Sequence, residues 1–177
     1  GEGELIEGID DSKKLKPEER ERLAALIRER AIAYKVCEES SETIDAINIL
    51  EATRLCMKRA VEGLAVQPDV VFTDGNFRLQ IDLPQQNIVR GDALSYTIGA
   101  ASILAKVYRD ALMCEYDKLY PQYGFAVHKG YGTKRHTDAI REYGLCEIHR
   151  RTFTKKFWEE AESEEEQNTL NPSGTKF

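Results

Sequence analysis

Residues 69–75 read Asp-Val-Val-Phe-Thr-Asp-Gly, and residues 87–92 read Asn-Ile-Val-Arg-Gly-Asp. Each stretch carries apolar, β-branched residues and then reaches an aspartate beside a glycine, which is typical of a short strand that ends in a turn. We therefore predict strands over 69–73 and 87–90. The 12 residues from 75 to 86 that connect them are close to the minimum for a crossover between parallel strands. The two strands are thus expected to run parallel, with their carboxyl ends at one edge of a sheet.

Helical patterns surround these strands. Apolar residues at helical spacing, with cap residues at the ends, predict four helices. Their predicted ranges are 17–30, from Ser40 or Ser41 to about Gly63, 95–120 and 134–143. Alternating residues over 31–38 predict a further strand, and the stretch 124–132, rich in glycine and aromatic residues, predicts a loop. The alternation of strands and helices indicates an α/β layered domain.

Length and composition narrow the class of protein. The chain has 177 residues, which suits one sizeable core rather than two ordinary domains. No apolar run approaches the roughly 18 residues that a membrane span needs, and no signal-peptide pattern is present, so we expect a cytoplasmic protein. The four cysteines lie far apart without a Cys-x-x-Cys pair, which argues against a zinc knuckle or a disulfide scaffold.

The charge of the chain is unevenly distributed. The net charge is −6, but six glutamates lie between Glu159 and Glu166 alone. Residues 128–156 hold eight lysines and arginines against three acidic residues. Such a basic stretch is compatible with a phosphate-rich ligand, so the global charge does not exclude nucleic acid. A solvated charged surface would explain the same stretch.

The aspartates that end the two predicted strands are candidate metal ligands. Asp74 and Asp92 would meet at one sheet edge, where ligands of open α/β sheets bind. Each lies beside a glycine that lets a ligand approach the main chain, and carboxylates suit a hard cation such as Mg²⁺ or Mn²⁺. The alternative is that each aspartate only begins a turn.

The loop His128-Lys129-Gly130-Tyr131-Gly132-Thr133 is a second candidate site. It leads directly into a predicted helix, whose first N–H groups can bind phosphate. An aromatic ring between glycines can stack on a sugar or a base. The alternative is an ordinary loop whose tyrosine packs on the core. The basic stretches 11–14 and 149–152 could likewise hold phosphate or face solvent.

Several segments together resemble bacterial ribonuclease HII, the type 2 ribonuclease H family. They agree in order and spacing from about Ile6 to Phe153, and no single one is decisive. The segments are 9–15, 44–50, 73–76, 89–92, 100–107, 123–125, 128–133 and 149–153. The resemblance implies an α/β fold, a ribonuclease H-like mixed sheet flanked by helices, with a helical C-terminal portion. We expect this domain over 1–158 and an acidic polar tail over 159–177.

The resemblance also implies an activity. The family cleaves the RNA strand of RNA–DNA hybrids and nicks duplex DNA on the 5′ side of an embedded ribonucleotide, by two-metal-ion phosphodiester hydrolysis with Mg²⁺ or Mn²⁺. Its members are expected to be monomers. Asp74 and Asp92 match two of its four metal-binding acids, and Tyr131 matches the tyrosine that senses the ribose at the RNA–DNA junction. Ser12 and Lys13 match positions near the substrate backbone, and Arg150 matches a backbone or structural contact.

One family motif has no counterpart in the chain. The Asp-Glu-x-Gly-Arg-Gly segment, which carries the other two acids, belongs upstream of Gly1, and we expect that the sequence is a piece of a longer, active protein. Two alternatives stay open. One is a catalytically inactive fragment that only binds RNA–DNA hybrid, and the other is an unrelated α/β metal-dependent phosphatase.

Overall fold

The computed structural model describes residues 5–155 of the chain. These residues form two compact units. The first comprises residues 5–39 and 49–111, and the second comprises residues 40–48 and 112–155. The predicted acidic tail over 159–177 lies outside the described residues.

Most of the described chain is helical. The elements are α1 (Pro17–Arg30), α2 (Ser41–Glu62), β1 (Val71–Asp74), β2 (Gln85–Ile88), α3 (Gly91–Leu94), α4 (Tyr96–Leu119), α5 (Phe125–His128) and α6 (Lys134–Tyr143). Residues 151–155 are also helical. The four long helices agree with the predicted ranges to within about a residue at each end.

The two strands form a parallel pair, as their spacing predicts. Val71 is in register with Gln85 and Asp74 with Ile88, and the Gly75 N–H continues the ladder by donating to the Ile88 carbonyl at 3.2 Å. The second strand begins and ends two residues earlier than predicted. The Gln85 side chain binds the connection, since its Oε1 accepts from the Leu79 N–H at 2.9 Å and its Nε2 donates to the Leu79 carbonyl at 3.0 Å.

The core of the first unit joins α1 to α4. Leu23 and Ala24 are fully buried and Ile27 nearly so, which gives α1 one apolar face. That face packs with Ile103 and Leu104 of α4 in one cluster. Burying each of the larger side chains contributes roughly 1.5–3 kcal/mol. Arg20 lies on the same face of α1 and is also buried.

The core of the second unit is built around two aromatic residues. Tyr123 and Phe125 are almost completely buried, and their rings stack with centroids 5.4 Å apart. Ala139 and Ile140 of α6 belong to the same cluster. The helix begins where predicted because the Thr133 hydroxyl caps it, accepting from the His136 N–H at 3.3 Å.

Two local predictions are wrong. Residues 31–38 form no strand within residues 5–155, and Ile32 remains 83% exposed. Alternation of side chains cannot by itself make a strand, because a strand also needs a neighbour for its ladder. The predicted loop 124–132 contains the short helix α5, which Gly124 opens at a φ of 75° and whose Ala126 N–H donates to Asp117 Oδ1 at 3.1 Å.

Helix α2 contains a break that the sequence pattern does not indicate. Asn48 has a φ of 68° and a ψ of 164° inside the helix. Non-glycine residues adopt this backbone region only at a cost of about 1–3 kcal/mol. The helix is therefore two helical segments joined at a strained residue.

Candidate active site

The end of β1 and the start of α3 are joined by a hydrogen bond. The Gly91 N–H donates to Asp74 Oδ1 at 2.9 Å, and Asp92 is the next residue along the chain. Gly91 is buried, and a Cβ there would lie 2.5 Å from Ile98 Cδ1 and 3.5 Å from the Asp74 Cα. The glycine thus permits α3 to approach β1, and the main chain beside Asp92 fixes one oxygen of the Asp74 carboxylate.

The segment before α1 also reaches Asp92. Lys13 Nζ lies 3.9 Å from Asp92 Oδ2, with the lysine side chain 77% exposed and the aspartate side chain 16% exposed. An ion pair this long, with its lysine largely in solvent, contributes little to stability. The lysine can therefore exchange this carboxylate for another anion at small cost.

Ser12 lies on the same segment, and a buried arginine holds it. Its hydroxyl is 2.8 Å from the Ser102 hydroxyl of α4. Arg20 Nη1 donates to the Ser12 carbonyl at 3.1 Å and to the Leu15 carbonyl at 2.6 Å. Arg20 Nη2 also pairs with Asp110 at 3.4 Å, so one guanidinium ties α1, α4 and the segment of Ser12 and Lys13 together.

Gly99 lets α4 pass close to both of these segments. A Cβ at Gly99 would lie 3.1 Å from the Asp92 carbonyl oxygen and 3.2 Å from Ile9 Cγ2. The sequence-predicted residues Ser12, Lys13, Asp74 and Asp92 thus belong to one connected set of contacts in the first unit. Sequence reasoning missed Arg20 and Gly99, which have no motif of their own.

Tyr131 and Arg150 lie in the second unit. Tyr131 is 67% exposed, and its carbonyl accepts from the Thr133 N–H at 2.8 Å and from His136 Nδ1 at 3.0 Å. The Arg150 guanidinium stacks on Phe153, with Cζ 3.8 Å from the ring centroid. The exposure of Tyr131 argues against the alternative that its ring packs on the core.

The second unit also gathers three histidines that have no shared motif. His128, His136 and His149 are all buried, and the nearest nitrogens of His136 and His149 are 3.0 Å apart. Burial, and to a smaller extent the neighbouring His136, lower the pKa of the His149 imidazole from 6.5 to about 4. Burial also lowers the pKa of His136.

The donor set decides what the site could hold. Residues 5–155 contain no group of three or more histidine, cysteine or acidic side chains that could enclose a metal ion. Asp74 and Asp92 supply two hard carboxylates on adjoining segments. Two carboxylates fit a cation that keeps several of its waters, as Mg²⁺ does. They are too few to enclose a cation that has lost all of its waters.

No helix within the described part of the chain is long and apolar enough to cross a membrane.

Comparison with known proteins finds relatives over most of the chain. A family model described as Ribonuclease HII matches residues 5–161. The chain is 53% identical over 148 residues to a Ribonuclease HII of Desulfitobacterium hafniense (strain DSM 10664 / DCB-2), covering 84% of this chain and 57% of the relative. It is 49% identical over 152 residues to a Ribonuclease HII of Pelodictyon phaeoclathratiforme, covering 85% of this chain and 74% of the relative. The chain thus spans little more than half the length of the first relative.

A solved structure shares the fold. The ribonuclease H2 of Pyrococcus horikoshii OT3 superposes with a TM-score of 0.75 at 23% identity, covering 88% of this chain and 82% of that one. The fold is therefore the ribonuclease H-like α/β fold that the motifs predict. With the family model matching most of the sequence and relatives about half identical to it, the chain belongs to the ribonuclease HII family.

Proposed function

We propose that the protein is a divalent-metal-dependent endoribonuclease. It cleaves the RNA strand of RNA–DNA hybrids and nicks duplex DNA on the 5′ side of an embedded ribonucleotide, as a monomer in the cytoplasm. The single observation that carries the proposal is the 2.9 Å hydrogen bond from Gly91 to Asp74, which ties the carboxylate to the residue next to Asp92. Because the chain belongs to the ribonuclease HII family, we interpret this pair of carboxylates as metal ligands.

Asp74 and Asp92 are the residues that would hold Mg²⁺ or Mn²⁺. A bound divalent ion supplies activation of the attacking water and stabilisation of the leaving oxygen in an in-line displacement. Because one Asp74 oxygen accepts from Gly91, the orientation of the carboxylate is restrained, and its other oxygen would serve as the metal ligand. Fixed orientation lowers the cost of assembling the reacting groups.

Four further residues would bind the substrate. Lys13 is exposed and can transfer from Asp92 to a backbone phosphate near the scissile bond, and Ser12 lies beside it. Tyr131 offers an exposed ring to the ribose, whose 2′-hydroxyl distinguishes RNA from DNA. Arg150 would contact the phosphate backbone, which positions a duplex without reading its sequence.

Cleavage of a DNA duplex that contains one ribonucleotide tests the proposal. In Mg²⁺ or Mn²⁺ the protein should nick on the 5′ side of the ribonucleotide, and a chelator should abolish the reaction. Asp74→Asn and Asp92→Asn should each lower the rate by orders of magnitude while leaving hybrid binding nearly unchanged. Asp82→Asn, which changes an exposed aspartate between β1 and β2, is the matched control and should cleave normally.

Three outcomes would count against the proposal. Normal cleavage by both variants would remove Asp74 and Asp92 from the site. Salt-sensitive binding to hybrids without cleavage at any metal concentration would identify an inactive binding fragment. Hydrolysis of small phosphate esters without cleavage of hybrids would identify a phosphatase.

A further inference from the structure

The three buried histidines of the second unit form a connected cluster. His128 and His136 stack with ring centroids 4.4 Å apart and an interplanar angle of 15°. His136 Nε2 lies 3.0 Å from His149 Nε2. Phe125 packs its ring against all three imidazoles. Imidazoles in such contact must each find a hydrogen-bond partner, because an unsatisfied buried polar group costs about 1–3 kcal/mol.

The hydrogen bonds around the cluster determine which nitrogen of each ring carries the proton. The Tyr131 carbonyl can only accept, so His136 Nδ1, which lies 3.0 Å from it, carries the proton of that ring. The Nε2 of neutral His136 is then an acceptor, and His149 Nε2, 3.0 Å away, is the donor. His149 Nδ1 therefore accepts from the Cys146 N–H at 3.0 Å rather than donating to the Cys146 carbonyl at 3.3 Å. The order of donation therefore runs from Cys146 through His149 and His136 to Tyr131, with both rings neutral.

His128 also binds the main chain of this loop. The Gly130 N–H donates to His128 Nδ1 at 3.2 Å, and the opposite nitrogen of that ring, Nε2, donates to the Tyr123 carbonyl at 2.8 Å. This ring is neutral as well. Two stacked imidazoles thus bind the main chain of two successive loop residues, Gly130 and Tyr131.

The side chain of Tyr131 has little else to orient it. Tyr131 is 67% exposed, and a Cβ added at the neighbouring Gly132 would have no atom within 4 Å apart from its chain neighbours. Gly130 adopts a φ of 82°, where glycine is favoured. Packing does not fix an exposed ring between two glycines, so its direction depends on the hydrogen bonds of the main chain.

We propose that His136 and His149 are positioning residues for Tyr131. We call the hydrogen bonds from Cys146 through His149 and His136 to the Tyr131 carbonyl the histidine relay. The relay holds this carbonyl in place and so presents the exposed ring in one orientation to the ribose of the substrate. This inference rests on the proposed function, because it takes Tyr131 as the residue that contacts the ribose. Neither histidine touches the substrate itself.

The neutral state of the relay is stable under ordinary conditions. Burial lowers the pKa of both His136 and His149 below the usual 6.5. Tyr123 and Cys146 are the other titratable groups in contact with the cluster. A phenol and a thiol are ordinarily protonated at neutral pH, and burial raises the pKa of each further. A proton added to His136 Nε2 would turn an acceptor into a donor facing the donor of His149, and the relay would break.

Nuclear magnetic resonance of the histidine side chains tests the relay without any nuclease assay. At neutral pH we expect the proton on Nδ1 of His136 and on Nε2 of His128 and His149. The opposite tautomer at His136 or His149, or a charged ring at either, would overturn the proposal.

Paired substitutions at His136 test the positioning role. His136→Phe keeps an aromatic ring against Phe125 but removes the donor to Tyr131, and His136→Asn restores an amide N–H near the place of Nδ1. In His136→Phe we expect the Tyr131 amide to become mobile on the nanosecond timescale and kcat/KM on the ribonucleotide-containing duplex to fall about two- to tenfold, the equivalent of one hydrogen bond. His136→Asn should recover both. Ile140→Val, a core change on the same helix that leaves the relay intact, controls for general loss of stability.

A double substitution separates positioning from a purely structural effect. If His136 acts through Tyr131, His136→Phe should change nothing further in a Tyr131→Ala background. Equal losses in both backgrounds, or an unaltered Tyr131 amide in His136→Phe, would overturn the inference. If the wild-type protein does not cleave, the proposed function fails, and the tautomers and Tyr131 mobility still decide whether the relay positions the loop.

Discussion

At the scale of single residues, Arg20 shows how one buried charge can organise a candidate site. Its guanidinium satisfies two carbonyls of the segment that carries Ser12 and Lys13. Its partner Asp110 also pairs with Lys106, so the cation belongs to a network. Removing one member of such a network leaves the others desolvated and unpaired, which costs more than the network itself contributes.

Arg20→Met should therefore destabilise the protein strongly. The substitution keeps the aliphatic stem and deletes the donors, and we expect the free energy of unfolding in urea to fall by about 2–4 kcal/mol. The control is Arg22→Met on the same helix, whose exposed pair with Glu19 should contribute far less to the free energy of unfolding. Equal losses in the two variants would show that Arg20 is only a surface residue in solution.

At the scale of secondary-structure elements, the strained backbone at Asn48 should reverse the usual order of stability of alanine and glycine in a helix. Alanine normally exceeds glycine by about 1 kcal/mol inside a helix. At a φ of 68° and a ψ of 164° the order should invert, and Asn48→Gly should unfold at higher urea than Asn48→Ala. Both variants lose the asparagine side chain equally, so the comparison isolates the backbone. Ala60→Gly, at a regular position of α2, should lower the free energy of unfolding by about 1 kcal/mol. If alanine were also more stable than glycine at position 48, the break in the helix would be contradicted.

Elements whose ends have local chemical causes could be predicted from the sequence. Pro17 opens α1 and Thr133 caps α6 through contacts within a few residues. The parallel pairing of β1 with β2 follows from the length of their connection. The strand expected over 31–38 did not form, because a ladder depends on a neighbour that alternation does not report.

The same distinction applies to the candidate site: some of its contacts could be predicted from the sequence and others could not. The approach of Asp74 to the segment of Asp92 could be anticipated, since both follow predicted strand ends. The contact of His136 with His149, 13 positions later in the chain, could not, because it depends on how the residues between them fold. Arg20 was missed for a similar reason: its carbonyl partners carry no side-chain pattern.

At the scale of the whole molecule, each unit supports its own candidate residues with its own buried polar group. Arg20 holds Ser12 and Lys13 in the first unit, and the histidine relay holds Tyr131 in the second. These two supports differ in their response to pH. A guanidinium stays charged at any pH that proteins tolerate, whereas an imidazole titrates in the mildly acidic range.

Acidification should therefore destabilise the protein through His149. Its pKa is about 4 in the folded protein against 6.5 ordinarily, so between these values the unfolded chain binds more protons. The contribution of neutral His149 to the free energy of unfolding is fully present above pH 6.5 and is lost as the pH falls towards 4. This loss is on the order of 3 kcal/mol. His149→Gln keeps a donor to His136 but cannot titrate, so its unfolding free energy, measured in urea from pH 7 to pH 4.5, should fall less steeply than that of the wild type. Carboxylates titrate equally in both proteins, and parallel curves would therefore show that His149 does not carry the effect.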